Sequence, residues 1–147
     1  MRVRRDTLKA TRLALAAIIA HVAILSFHSA AHLILGVQAS TLQNIFIVAV
    51  IIIAPPLSGV LLWKNLSKPG AALLACSMAG SLIFGVYNHY VGISPDHVSQ
   101  VALMSPASWS VIFRITALFL ALTEVLGTIA GIWILKRRLS DQSARAL

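Results

Sequence analysis

The reading of the fold turns on residues 13–37, LALAAIIAHVAILSFHSAAHLILGV. No Asp, Glu, Lys or Arg interrupts this run, and it exceeds the roughly 20 residues that a helix needs to cross a hydrocarbon core. Five basic residues precede it: Arg2, Arg4, Arg5, Lys9 and Arg12. A basic arm before an apolar run is also the layout of a secretory signal peptide. Those apolar regions are only about 7–15 residues long, however, and His28-Ser29-Ala30 is a poor cleavage site. The stretch is expected to be a retained signal-anchor helix.

Working outward, apolar residues dominate four segments, at about 11–37, 42–63, 69–91 and 106–135. The sequence therefore predicts an all-α, integral membrane four-helix bundle forming a single domain over 1–147. Composition agrees: 59% of the 147 residues are hydrophobic and only 11% are charged, with a mean hydropathy of +0.88. Soluble domains sit near 45–50% apolar and about 25% charged. A chain this short cannot hide such an excess inside itself, so lipid must cover it.

The net charge of +8 does not point to nucleic acid, because the charge sits at helix ends. The N-terminal arm, the connection holding Lys64 and Lys68, and the tail with Lys136, Arg137, Arg138 and Arg145 carry eleven of the twelve basic residues. The Gln38–Thr41 connection carries no charge, and the longer Gly92–Ser105 segment carries only Asp96. The positive-inside rule then predicts cytoplasmic N- and C-termini, short loops, and a longer outer segment between the third and fourth helices. A bacterial inner (plasma) membrane is the expected location. The basic ends suit anionic lipid headgroups, each residue contributing roughly 1 kcal/mol near the surface. So little mass outside the membrane is compatible with a homo-oligomer or a larger membrane complex.

Several details bear on packing. Ser77, Ser81 and Gly85 recur every four residues, as do Ala72, Cys76 and Gly80, the spacing that lets membrane helices approach closely. Pro55 and Pro56 fall inside the second helix and predict a bend or hinge, with freed carbonyls that need partners from neighbouring helices or water. Ser105 and Pro106 read as the N-cap and first residue of the fourth helix. Trp63, Trp109 and Trp133 fall near span ends, where interfacial aromatics collect. Cys76 is the only cysteine, which excludes an intrachain disulfide or a thiolate cluster.

Chemistry concentrates on histidine. His21, His28 and His32 fall within about 40° of one another on one helix face and extend roughly 16 Å along it. His28 and His32 have the i, i+4 spacing that brings two imidazoles to one metal ion. His89, Asp96 and His97 belong to the same predicted outer end. Their His-then-Asp-His order resembles a signature of nickel/cobalt permeases. There the residues lie closer together inside one helix, whereas here Gly92 and Pro95 intervene, so no role is carried over and no family is assigned.

The candidate metal ligands are therefore His28, His32, His89 and His97, with Asp96 as ligand or orienting carboxylate. Imidazole and carboxylate suit Zn, Cu, Ni or Fe. Glu124, near mid-membrane, is at the depth of His21, and a buried carboxylate needs a partner, so these two form an expected polar pair. Arg114 is an outer-face charge, directed at lipid phosphate or at Asp96. Three functions stay open on these residues. One is a metal-binding protein of transport or homeostasis. The second is an electron-transfer protein holding haem b between His28 or His32 and His89. The third is a structural or accessory subunit. Hydrolytic catalysis lacks any Ser-His-acid motif.

Overall fold

The 13–37 stretch lies within one long helix, α1 (Arg2–Leu35), which starts in the basic arm and stops where Gly36 adopts a φ of 67°. Glycine alone takes that conformation without steric cost. Val37 N–H donates to the His32 carbonyl (3.0 Å) and Gly36 N–H to the Leu33 carbonyl (3.3 Å), the pairing of a Schellman stop. The stop brings the Val37 carbonyl back beside His32. Ser40 then caps α2 (Thr41–Phe46): its hydroxyl accepts from Gln43 N–H, and the Gln43 side chain accepts from Ser40 N–H.

The computed structural model describes residues 2–143, with side chains described over 8–140; Arg145 and the side chains of Arg2, Arg4 and Arg5 lie outside the described residues. After α2 the chain passes through a π-helical segment, Ile47–Ile53, into α3 (Ala54–Trp63). Helix α4 (Ser67–Val86) ends in a second π-helical turn, Tyr87–Val91. The short α5 (Val98–Val101) precedes α6 (Ala107–Ser143). No strand occurs among the described residues. Four helical spans are long and apolar enough to cross a membrane: Leu8–Leu35, Thr41–Trp63, Ser67–Val91 and Ala107–Ser140. The fourth helix runs past residue 135 because the basic tail continues it. It begins one residue later than the sequence suggests, at Ala107, with the Pro106 carbonyl accepting from Trp109 N–H at 3.0 Å.

The fourth span packs along both the first and the third. The second packs on the third and meets the first chiefly through α3. The third span approaches the fourth closely because the fourth carries Gly127 and Gly131. A Cβ on Gly131 would fall 2.8 Å from Ala75 N and 2.9 Å from Ala71 O, so only a bare backbone fits. This small-xxx-small pair drives close helix contact.

Apolar packing forms two clusters. One joins Ala10, Ala14, Leu62, Leu74, Met78 and Ile134 toward the end that bears Lys64 and Lys136. The other joins Ala31, Val37, Val101 and Phe113 at the opposite end. Trp133 and Trp109 pack against these clusters, whereas Trp63 is 81% exposed. Between the clusters lies a buried polar layer of His21, Thr123 and Glu124.

Candidate metal centre

Helix α1 sets His28 and His32 one turn apart, and the π-helical turn at the end of the third span brings His89 to them. One imidazole nitrogen from each lies within 4.8 Å of the others. All three rings rest on Phe113, which is fully buried, at centroid distances of 4.5, 4.8 and 5.3 Å. Asp96 closes the group, with Oδ1 3.2 Å from His32 Nε2 and 3.6 Å from His89 Nδ1.

The hydrogen bonds fix where each neutral ring carries its proton. Thr116 gives its only hydroxyl proton to the carbonyls of Ile112 (2.7 Å) and Phe113 (3.0 Å). Toward His28 it can only accept, so His28 Nδ1–H donates to Thr116 Oγ1 at 2.9 Å. His32 Nδ1 faces the Val37 carbonyl at 3.4 Å and His89 Nδ1 faces the Asp96 carbonyl at 3.1 Å. Carbonyls are acceptors, so both Nδ1 atoms bear hydrogen. Each ring therefore keeps an Nε2 lone pair. An Nδ1–H anchored on oxygen, with Nε2 free, is the orientation that metal-ligating histidines adopt.

That assignment leaves acceptors facing one another. His28 Nε2 and His32 Nε2 are 3.2 Å apart. Asp96 Oδ1, at 3.2 Å from His32 Nε2, is buried yet makes no hydrogen bond among the described residues. Three lone-pair atoms follow one another at 3.2 Å with no donor among the three, the neighbouring His89 Nδ1–H being nearer the Asp96 carbonyl (3.1 Å) than its Oδ1 (3.6 Å). A proton on His32 Nε2 would satisfy one neighbour and leave the other; a cation satisfies all three. The spacing fits an ion: ligands at about 2.0–2.1 Å from a tetrahedral zinc lie roughly 3.3 Å from each other.

His97 is not brought into the group. It caps α5, its Nδ1 accepting from Ser99 N–H at 3.2 Å and from the Ser99 hydroxyl at 2.7 Å. Arg114 is exposed on α6, and Asp96 meets histidines rather than Arg114. His21 and Glu124 are both buried, with Nδ1 and Oε1 4.0 Å apart. The stronger partner of His21 is unexpected in detail: its Nε2–H donates to the Ile51 carbonyl at 3.3 Å. That carbonyl has lost its backbone donor in either helix type, because its α-helical partner would be Pro55 and its π-helical partner Pro56. The break at Pro55-Pro56 thus lies beside His21. No protein family model, curated protein or solved structure matches this chain.

A cavity of about 400 Å³ opens beside the histidines, where the first half of the second span parts from the first span. His28, His32, His89 and Asp96 line one end; Ile51, Ser81 and Glu124 line the other. Gln38 and Asn44, both exposed, lie at its mouth. Sequence reasoning missed the two π-helical segments, whereas Thr116 is among the polar residues of neighbouring helices that suit a hydrogen bond to His28 or His32.

Proposed function

We propose that this chain is a multi-pass membrane protein that binds a transition-metal ion through His28, His32 and His89, with Asp96 as the fourth donor. The observation that carries this reading is the meeting of His28 Nε2, His32 Nε2 and Asp96 Oδ1 at 3.2 Å spacings with no donor among them. A purely structural polar cluster would be expected to satisfy each of these atoms, since unsatisfied buried acceptors cost about 1–3 kcal/mol apiece. With N- and C-termini in the cytoplasm, the site faces the outside of a plasma membrane, where metal acquisition or homeostasis would use it.

The donor set of imidazole and carboxylate without thiolate suits Zn, Cu(II), Ni or Fe. Haem fits less well. Axial ligation needs two imidazoles facing each other across a porphyrin. Here the His28 ring packs edge-on against both His32 and His89, at 4.8 and 5.0 Å, which leaves no slab between them.

Elemental analysis and an absorption spectrum of the purified protein test the reading. One metal ion per chain without a Soret band is expected, lost on replacing both His28 and His32 by alanine. Metal content unchanged in that double variant would overturn it.

A further inference from the structure

The cavity does not end at the histidines, and its inner end is polar. Ser81 is fully buried, its Oγ has no hydrogen-bond partner among the described residues, and it lines the cavity wall. Glu124, 4% exposed, lines the same wall. Both groups are costly to leave unpaired in a hydrocarbon environment.

The facing atom of His21 is an acceptor too. Its Nε2–H is committed to the Ile51 carbonyl, so its Nδ1 holds a lone pair. Thr123, 3.5 Å from that Nδ1, gives its proton to the Leu120 carbonyl at 2.8 Å. His21 Nδ1 and Glu124 Oε1 thus face each other at 4.0 Å with no donor supplied between them. Donors at about 2.0–2.2 Å from a tetrahedral ion lie roughly 3.3–3.6 Å apart, so this pair would close by a few tenths of an ångström around one.

Gly85 lies between this pair and the outer histidines. The point its Cβ would occupy is 3.9 Å from His89 Cδ2 and 4.0 Å from Glu124 Oε2. A bare backbone there keeps His89 and Glu124 in view of each other across the cavity. Beyond Glu124 the interior closes on Met78, Leu74 and Ile134, all fully buried. The cavity opens on the histidine side, where the exposed Gln38 and Asn44 line it. The π-helical segment of the second span, through Ile47 and Ile51, lines it, and π-helical turns recur at functional sites.

We infer that His21 and Glu124, beside Ser81, form an inner station for the same class of divalent transition-metal ion, reached from the outer histidines past Gly85. The inference rests on the metal reading above and adds that the ion moves.

The experiment reconstitutes full-length wild type, Glu124→Gln, Gly85→Val and the His28→Ala/His32→Ala double variant into liposomes holding a zinc-sensitive dye. Zinc bound per chain is measured on the same preparations in detergent. Wild type should admit zinc and the double variant should neither bind it at the outer site nor admit it. Glu124→Gln and Gly85→Val should keep the outer ion, yet admit zinc at least about tenfold more slowly, the low end of what losing a ligand's support costs a metal site. Gly85→Ala controls for folding, since its Cβ would make only ordinary contacts; if Glu124→Gln is not recovered folded, Gly85→Val carries the test. Zinc entry at the wild-type rate in both variants would overturn the inference, as would a wild type that binds zinc and admits none. A wild type that binds no zinc or other first-row ion would instead remove the outer site itself.

Discussion

The imidazole of His21 completes a helix that is not its own: Nε2–H donates 3.3 Å to the Ile51 carbonyl, which Pro55 and Pro56 leave without a backbone donor. The bond ties the first span to the second at the point where the second lacks a backbone donor. Replacing His21 by leucine should cost about 1–3 kcal/mol, the penalty of an orphaned buried carbonyl. Pro55→Ala restores an N–H at the α-helical position, so it should recover part of that loss in the double variant. Thermal unfolding in detergent of the wild type, both single variants and the double variant checks this. Additive effects would show that the two residues are uncoupled.

Thr116 is a second residue whose importance lies in what it orients. Because its own proton is spent on backbone carbonyls, it can only accept from His28, and this turns His28 Nε2 toward His32. Thr116→Val keeps the shape and removes the acceptor. Metal affinity should fall about 10–100-fold, as for other residues that hold ligating histidines, while Thr116→Ser should stay near wild type. His97→Ala is the matching control, since that ring caps α5. Competitive titration against a chelating dye measures all three.

Much of the fold could be read from the chain because hydrophobic length is a one-dimensional property: four apolar runs with charge at their ends leave little freedom. The histidine stripe on α1 was equally legible, since i, i+4 spacing follows from helix geometry. The limits were set by irregular backbone. A π-helical turn rotates His89 relative to an α-helical projection, and nothing in Tyr87-Asn88-His89-Tyr90 announces that extra residue per turn. His97 and Asp96 are adjacent in sequence yet part company. The helix start at Val98 claims His97 Nδ1 as its cap, while Asp96 is left facing His32. The Gly127/Gly131 pair was readable by the same rule as the serine stripe of the third span. It is this pair that brings the third and fourth spans into backbone contact.

Acidity should weaken the metal centre. The ion and the proton compete for the same Nε2 lone pairs, so lowering the pH favours the proton-bound, ion-free form and raising it favours the ion. Imidazole is the side chain that ordinarily changes charge between about pH 5 and 8. Apparent affinity should therefore fall as the pH is lowered from 8 to 5. Calorimetry near the foot of that range, in two buffers of different ionisation enthalpy, should register protons released on binding. Identical heats in the two buffers would mean that no ring gives up a proton to the ion.

Gly131 sets the spacing of α4 and α6. Its missing side chain lets α6 lie against the α4 backbone at Ala71 and Ala75, with no room for even a methyl group. In Gly131→Ala the added carbon would sit 2.8 Å from Ala75 N, and backbone, unlike the end of a flexible side chain, cannot step aside without moving its helix. Overpacking of this kind costs typically about 1–3 kcal/mol. The displacement would not stay local, because α6 also carries Phe113 and Thr116, on which the histidines rest. Gly131→Ala should therefore lower both thermal stability and metal affinity, although residue 131 lies several turns from the site. At Gly127 the nearest atoms belong to the flexible Met78 side chain, at 2.8, 3.1 and 3.3 Å. Gly127→Ala should be the milder of the two, since Met78 can change rotamer where the Ala75 amide cannot. Equal losses for the two variants would show that side-chain crowding, rather than backbone approach, sets the spacing of these helices.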